Sequence, residues 1–286
     1  MSEQPTRSVR GLAGLGALVT GGGSGIGLAV ARRLAADGAA VTICGRNEDR
    51  LVEAVSSIAA GVPGAVVGYA VADVTDESSV AFAVDRACQR AGGRLDVVVA
   101  NAGGSESIGP VTHLEVGAWD RTVAMNLTGT MLTLKHGAAA MVRSGGGSFV
   151  AVSSIAATLS HPWFGAYGPS KAAIDQLCRQ AADELGASHV RVNSVCPGLI
   201  DTDLVGFITA GGPVLDSYRE NTPLERIGCP EDVSALVRFL VGPEATWITG
   251  QNITVDGGQS LRRGPSLASA LEPLFGEDGL RGVVAG

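Results

Sequence analysis

Tyr167 and Lys171 stand four residues apart in AYGPSKAAIDQL. On a helix that spacing brings both side chains out on one face, about one turn or ~6 Å from each other. A phenol ordinarily ionises near pH ~10. An ammonium beside it favours the phenolate, so the pair can make a proton donor that works near neutrality. An amphipathic helix can also carry Tyr and Lys at this spacing for packing alone, so the pair gains meaning only from its neighbours.

The first neighbour is TGGGSGIG, Thr20 to Gly27. It follows an apolar run, Gly16 to Val19, and opens a helix-periodic one, Ile26, Val30, Leu34. Strand, glycine turn and helix in that order are the setting of a dinucleotide site. Gly21 lets the chain turn, Gly25 lets the backbone approach a pyrophosphate, and Gly27 lets the helix pack closely on the sheet. The helix N-terminus then offers free N–H groups to phosphate. The spacing departs from G-x-G-x-x-G, and a merely flexible turn is the alternative in a chain with 41 glycines.

Taken with the further motifs below, these residues resemble the short-chain dehydrogenase/reductase family, in its compact single-domain, 3-oxoacyl-ACP reductase-like branch. TGGGSGIG matches that family's T-G-x-x-x-G-I-G. ANAG, Ala100 to Gly103, matches N-N-A-G with Ala100 in place of the first Asn. MNLTG supplies Asn126, Ser153–Ser154 precedes Y-x-x-x-K, and NSVCPG, Asn193 to Gly198, matches N-x-x-x-P-G. ITGQNITVDGG resembles the family's closing strand, so the likeness runs from about Leu15 to Gly258.

The resemblance implies roles. Tyr167 would be the acid in carbonyl reduction and the base in alcohol oxidation. Lys171 would lower the tyrosine's pKa and hold the nicotinamide ribose, and Ser154 would polarise the substrate oxygen. Asn126 would hold a water linking Lys171 to solvent. Neighbouring strand residues face opposite ways, so only one of Ser153 and Ser154 can serve. The family spacing favours Ser154, 13 residues before Tyr167. The cofactor would lie against Gly21, Gly23, Ser24, Gly25, Ile26 and Gly27. Arg46, Asp73, Val74, Asn101, Ala102, Gly103, Tyr167, Lys171, Pro197, Gly198, Ile200 and Thr202 would complete its site. Asp73 could instead cap the helix expected over 77–91. No metal site is expected.

Cofactor choice turns on the end of the second strand, VTICGRN. An NAD enzyme usually places a carboxylate there for the ribose 2′-hydroxyl. Here the position reads Gly45, followed by Arg46, and a guanidinium can pair with a 2′-phosphate. NADP(H) is therefore favoured, with NAD(H) the alternative. Arg46 stacked on adenine or paired with Glu48 is the competing use of that side chain, and Ser24 stands where many NADP-dependent relatives carry a basic residue.

Alternating elements must position these groups. Strands are expected near 16–20, 40–44, 65–71, 95–100, 148–153, 190–195 and 253–255. Helices are expected near 26–37, 47–59, 77–91, 118–143, 165–185 and 231–241. This is the pattern of an α/β doubly wound, Rossmann-type parallel sheet of seven strands with helices on both faces, binding ligands beyond the strand carboxyl ends. The domain is expected over 1–260, with a substrate lid at about 199–225. Residues 261–286 would form an extension that packs on a neighbouring subunit. Leu267, Leu271, Leu274 and Phe275 have helical spacing there, with Pro273 limiting any helix to a turn or two.

Composition narrows the classes. The 286 residues, 45% of them apolar, can bury one large core. A net charge of −7 without a basic block excludes nucleic acid and anionic membrane as partners, and no apolar run is long enough to span a bilayer. Arg7 and Arg10 before GLAGLGALV could imitate a signal peptide, but that apolar run is needed as the first strand. Five cysteines without C-x-x-C spacing point to reduced thiols and the cytoplasm.

The expected function is ketone–secondary alcohol interconversion on an apolar substrate, by a carbonyl reductase of 3-oxoacyl-ACP reductase type, in a homotetramer or, failing that, a dimer. His161, Trp163, Phe164, Ser105 to Ile108, Leu204, Phe207 and Ile208 would line the substrate cleft. The alternative is an NAD-dependent alcohol or hydroxysteroid dehydrogenase. A non-catalytic dinucleotide sensor is a third reading, disfavoured because Ser154, Tyr167, Lys171 and Asn126 are all present.

Overall fold

The computed structural model describes residues 11–262, 264 and 266–284. Strand β1 (Gly16–Thr20) is followed by α1 (Gly25–Ala36), β2 (Ala40–Gly45), α2 (Glu48–Gly61), β3 (Val67–Val71), α3 (Glu77–Arg90) and β4 (Val97–Ala100). Helices α4 (Val116–Val123) and α5 (Gly129–Arg143), β5 (Gly147–Val152), α6 (Tyr167–Leu185) and β6 (Val190–Pro197) come next. The short α7 (Gly206–Thr209) and α8 (Pro213–Glu220) precede α9 (Pro230–Val241), β7 (Asn252–Val255) and α10 (Ala268–Leu280).

The seven strands form one parallel sheet in the order β3-β2-β1-β4-β5-β6-β7, the doubly wound topology expected from the alternation. Alternate strand residues feed opposite layers. Ala17, Val19, Val41, Ile43, Val97 and Val99 pack with α1, α2 and α9, while Leu18, Val98, Phe149 and Val192 pack with α3, α5 and α6. Strands buried on both faces explain why they read as unbroken Val/Ala/Ile runs. Each fully buried Val, Leu or Ile side chain contributes about 1.5–3 kcal/mol against exposure.

Local chemistry sets the helix starts. Asn47 accepts the Arg50 N–H at 3.0 Å to cap α2, with Glu48 and Asp49 in its first turn. Asp76, and not Asp73, caps α3, accepting from Ser78 N at 2.7 Å and Ser79 N at 3.2 Å. Asp73 closes a tighter turn on Thr75, accepting both its N–H and its hydroxyl.

Three expected elements differ in detail. The helix expected over 118–143 is divided by a π-helical segment, Ala124–Thr128, which seats Asn126. The helix expected from 165 begins at Tyr167, because Gly165 has φ 52° and stands against Ser107. In the extension, Pro273 lies inside α10, and the helix breaks at Gly276, whose φ is 67°. The first piece is about two turns long, but it runs through Pro273, and Gly276 ends it.

Candidate active site

The crevice opens where the chain reverses its winding, between β1 and β4. Thr20 and Asn101, at the ends of those strands, tie it together. The Thr20 hydroxyl accepts N–H bonds from Asn101 and Ala102 at 3.0 Å, and the Asn101 amide donates to the carbonyls of Thr20 and Gly21 at 3.0 and 3.2 Å. These bonds fix the first turn of the glycine loop to the loop after β4.

The glycine loop has the shape an anionic ligand needs. Gly21 and Gly25 hold φ of 64° and 51°, conformations that side chains resist. A Cβ at Gly27 would run into the Gly21 carbonyl, so the helix packs on its own loop only without one. Ser24, the N-cap of α1, makes no side-chain cap bond, leaving the first-turn N–H groups for a phosphate. These features fit a dinucleotide.

A cleft of about 730 Å³ runs from this loop across the strand ends. Its lining gathers Gly21, Ser24, Gly25, Ile26, Arg46, Asp73, Val74, Asn101, Ala102 and Gly103 together with Ser154, Tyr167, Lys171, Pro197, Gly198, Ile200 and Thr202, with Thr202 against Gly25 and Lys171 against Gly103. Gly23, Gly27 and Asn126 are not in its lining; Gly23 faces Arg50 and Leu51, while Gly27 lies beneath the loop. Arg50 joins Arg46 in the lining, a residue unremarked in the sequence although it stands four positions after Arg46. Glu48 accepts the Tyr69 hydroxyl at 2.9 Å, and no ion pair joins it to Arg46 among the described residues.

Four elements converge at the floor. Tyr167 opens α6, half-buried beside the cleft, and the Lys171 ammonium lies 5.6 Å from its ring centroid. Lys171 is buried and donates to the Val152 carbonyl at 2.7 Å, which holds it at the end of β5. The two serines lie just past the end of β5 and both border the cleft, but their hydroxyls have different partners. Ser153 points beneath the helix and donates to the Lys171 carbonyl at 3.2 Å, whereas Ser154 faces Tyr167 and accepts the Ala156 N–H at 3.1 Å.

Asn126 is wholly buried and locks the scaffold. Its amide donates to the Gly104 carbonyl and to Ser170 Oγ, both at 2.9 Å, and accepts the Gly104 N–H at 2.9 Å. Both amide N–H groups are thereby engaged by protein.

Burial sets the electrostatics. It pushes the Tyr167 phenol above its ordinary value, and the Ser154 hydroxyl draws it partly back. Burial likewise pulls Lys171 down to about 8, opposed by the charge of Asp175 one turn on. The sequence alone suggested a phenol depressed by Lys171; in the folded chain desolvation raises it instead, and Ser154 rather than Lys171 is the group that draws it back. A tyrosine kept protonated but reachable from the cleft is suited to giving a proton.

The remaining walls are mostly apolar: Ile108, Met125, Ile155, Phe164, Ile208 and Tyr218. The side chains of Leu204 and Phe207 lie outside the described residues. His161 does face the cleft; its Nδ1 lies 2.8 Å from the Leu159 carbonyl, its ring meets Phe164 edge-on at 5.2 Å, and burial lowers its pKa. Tyr218 belongs to the expected lid without having been singled out, and Leu267, expected at a subunit contact, lines the cleft, a placement that depends on the fold.

A Rossmann-type sheet with a glycine-loop cradle and a Ser–Tyr–Lys cluster at its carboxyl edge defines a dinucleotide-dependent oxidoreductase. The family model described as Enoyl-(Acyl carrier protein) reductase matches residues 21–260. The cis-4-hydroxycyclohexanecarboxylate dehydrogenase of Sinomonas cyclohexanicum is 39% identical over 244 residues, covering 85% of this chain and 95% of its own. The chain belongs to the short-chain dehydrogenase/reductase family, whose members bind NAD(P). Among solved structures, a short-chain type dehydrogenase/reductase from Mycobacterium ulcerans matches with TM-score 0.93 and 54% identity, covering 95% of this chain and 99% of that one. A 7α-hydroxysteroid dehydrogenase complexed with NADH and 7-oxo glycochenodeoxycholic acid matches with TM-score 0.81 and 31% identity, over 86% and 94%.

Proposed function

We propose that the chain interconverts a ketone and a secondary alcohol on an apolar, preferably cyclic, substrate with NADP(H). The carrying observation is that the Tyr167 and Ser154 hydroxyls and the Lys171 ammonium converge on one apolar-walled cleft continuous with the glycine loop.

Bound there, the dinucleotide supplies or accepts the hydride. The chain's residues handle the rest. Ser154 donates a hydrogen bond to the substrate oxygen and so favours the charge that develops on it. Tyr167 gives that oxygen a proton in reduction and takes it back in oxidation. The Lys171 charge stabilises Tyr167 once it has lost the proton. Asn126 holds the Gly104 loop against α6, so that the cleft floor is rigid. Any water linking Lys171 to solvent would rest on groups other than its two engaged amide N–H groups, such as its own backbone carbonyl in the π segment.

The substrate class is supported by the printed activities of two relatives, a hydroxycyclohexanecarboxylate dehydrogenase and a hydroxysteroid dehydrogenase. The narrower 3-oxoacyl-ACP reductase reading has less support. Arg121, a cation at the mouth, is already paired with Glu106 at 2.6 Å, leaving it little attraction for an acidic carrier. NADP(H) is favoured by Arg46 and Arg50 in the cleft lining and the lack of a carboxylate at Gly45, although the hydroxysteroid dehydrogenase was solved with NADH. No described helix is long and apolar enough to cross a membrane. A cytoplasmic homotetramer assembled through α5 and α6 completes the proposal, consistent with exposed Met131 and Val142 on α5.

Tyr167→Phe tests the reading. Turnover of cyclic ketones should fall by roughly 10²–10⁴-fold, while NADPH binding followed by nicotinamide fluorescence is retained. A variant that keeps wild-type turnover would remove Tyr167 from the chemistry.

A further inference from the structure

The family match ends at residue 260, yet the chain goes on to build part of the cleft. Leu267 lines the cleft and is only 3% exposed, and Leu271, one turn further along α10, is 6% exposed. This segment touches three separate walls. On the lid side, Arg262 donates to the Glu220 carbonyl, the Ser266 N–H reaches Ser217 Oγ at 3.4 Å, and α10 packs on α8. Gly264 lies against the Ser160 carbonyl, beside His161. Across the mouth, the Phe275 ring meets His113 edge-on at 5.5 Å and covers Gly109, and Gly279 follows it onto His113.

Gly109 is itself bonded to Trp163 at 2.9 Å, in the turn that leads to Tyr167. The extension therefore spans from the lid to the loop that seats the acid, with Leu267 pointing into the space between. An apolar side chain held in place at both ends acts as a size filter, because a packed wall cannot yield to a larger ligand without losing its own contacts.

We propose that residues 266–284 form a wall of the substrate cleft of their own chain, and that Leu267 sets the size of substrate admitted. This rests on reading the cleft as a ketone and alcohol site. An outer face of the same segment remains free to meet a second subunit, so the expected subunit contact is compatible with it.

The test compares kcat/KM for cyclohexanone and 4-tert-butylcyclohexanone in the wild type, Leu267→Ala and Leu267→Phe, with NADPH affinity measured alongside. Leu267→Ala should shift the ratio toward the bulkier ketone by roughly 10-fold, and Leu267→Phe should shift it the other way, with nucleotide affinity unchanged. Ratios that stay within twofold of wild type in both variants would overturn the proposal.

A second measurement needs no turnover. Hydrogen exchange of the full chain is compared between wild type and Phe275→Ala, which removes the far anchor. Increased exchange in both 266–275 and 213–220 is expected; an increase confined to 276–284 would show that the segment does not brace the lid. If the wild type binds NADPH but reduces neither ketone, the assigned substrate class fails, and the exchange result still decides the wall.

Discussion

Lys171 and Asp175 are two buried charges one turn apart on α6, 4% and 3% exposed. Lys171 faces the cleft, and Asp175 faces β6, accepting the Ser194 hydroxyl at 2.8 Å and lying 3.7 Å from the Cys196 thiol. The Ser194 hydroxyl in turn accepts from Asn252 at 2.6 Å, so a polar network reaches Asp175 from β7. Burying an ammonium is costly without an opposite charge nearby, and Asp175 supplies one.

Asp175→Asn should therefore move the alkaline limb of the pH–rate profile downward. Burial has already drawn Lys171 to about 8, and Asp175 raises that value, as would the thiolate of Cys196, itself held protonated to about 11. Without the carboxylate, Lys171 loses its charge at lower pH, and with it the support it gives ionised Tyr167. A fall of roughly one pH unit is expected, with nucleotide affinity at pH 6 preserved. A limb that does not move would detach Asp175 from the site.

The same group leaves a mark on stability. Its folded value, about 8, lies below the ordinary 10.5, so between them the unfolded chain binds more protons than the folded one. The Lys171 contribution to stability therefore rises with pH through that window, and the unfavourable contribution is fully present below it. Lys171→Met should flatten the slope of unfolding free energy against pH there; an unchanged slope would mean that other groups govern it.

Ser153→Ala and Ser154→Ala separate two adjacent hydroxyls. Ser154→Ala should lower kcat by roughly 10²-fold with little change in melting temperature. Ser153→Ala removes its bond to the Lys171 carbonyl and its contact with the Cys196 thiol, and should cost about 1 kcal/mol of stability with most activity kept. Equal kinetic losses in the two variants would contradict the assignment to Ser154.

Arg46→Ala should weaken NADPH binding by roughly 10- to 150-fold while leaving NADH binding nearly unchanged, the loss of one guanidinium–phosphate pair being worth roughly 1.5–3 kcal/mol. Gly45→Asp should move preference the same way by adding a repelling carboxylate. Fluorescence titration with both nucleotides checks this, and equal loss for the two would assign Arg46 to the adenine instead.

Gly27→Ala probes the cradle. The added methyl would meet the Gly21 carbonyl and lie 2.5 Å from the Asn101 amide, so the loop must shift. Destabilisation of about 1–3 kcal/mol in denaturant unfolding is expected, together with weaker nucleotide binding. Wild-type behaviour in both assays would mean the loop tolerates the displacement.

How much of this was legible in the chain follows from the range of the forces involved. The strands, the glycine loop and the Tyr167–Lys171 face were readable because periodicity, turn chemistry and helical spacing act over a few residues. Strand alternation showed that only one of Ser153 and Ser154 could serve, and the family spacing to Tyr167 chose Ser154. The division of the long helix at Asn126, the burial that raises Tyr167 and lowers Lys171, and the engagement of both Asn126 amide N–H groups were not readable. Each depends on what packs against the residue from elsewhere in the chain. The sequence by itself determined a doubly wound sheet and the residue types at its carboxyl edge. Only the tertiary structure decided that Asp175 stands behind Lys171 and that Leu267, a hundred residues beyond Tyr167, closes the same cleft, because desolvation and long-range packing exist only once distant segments meet.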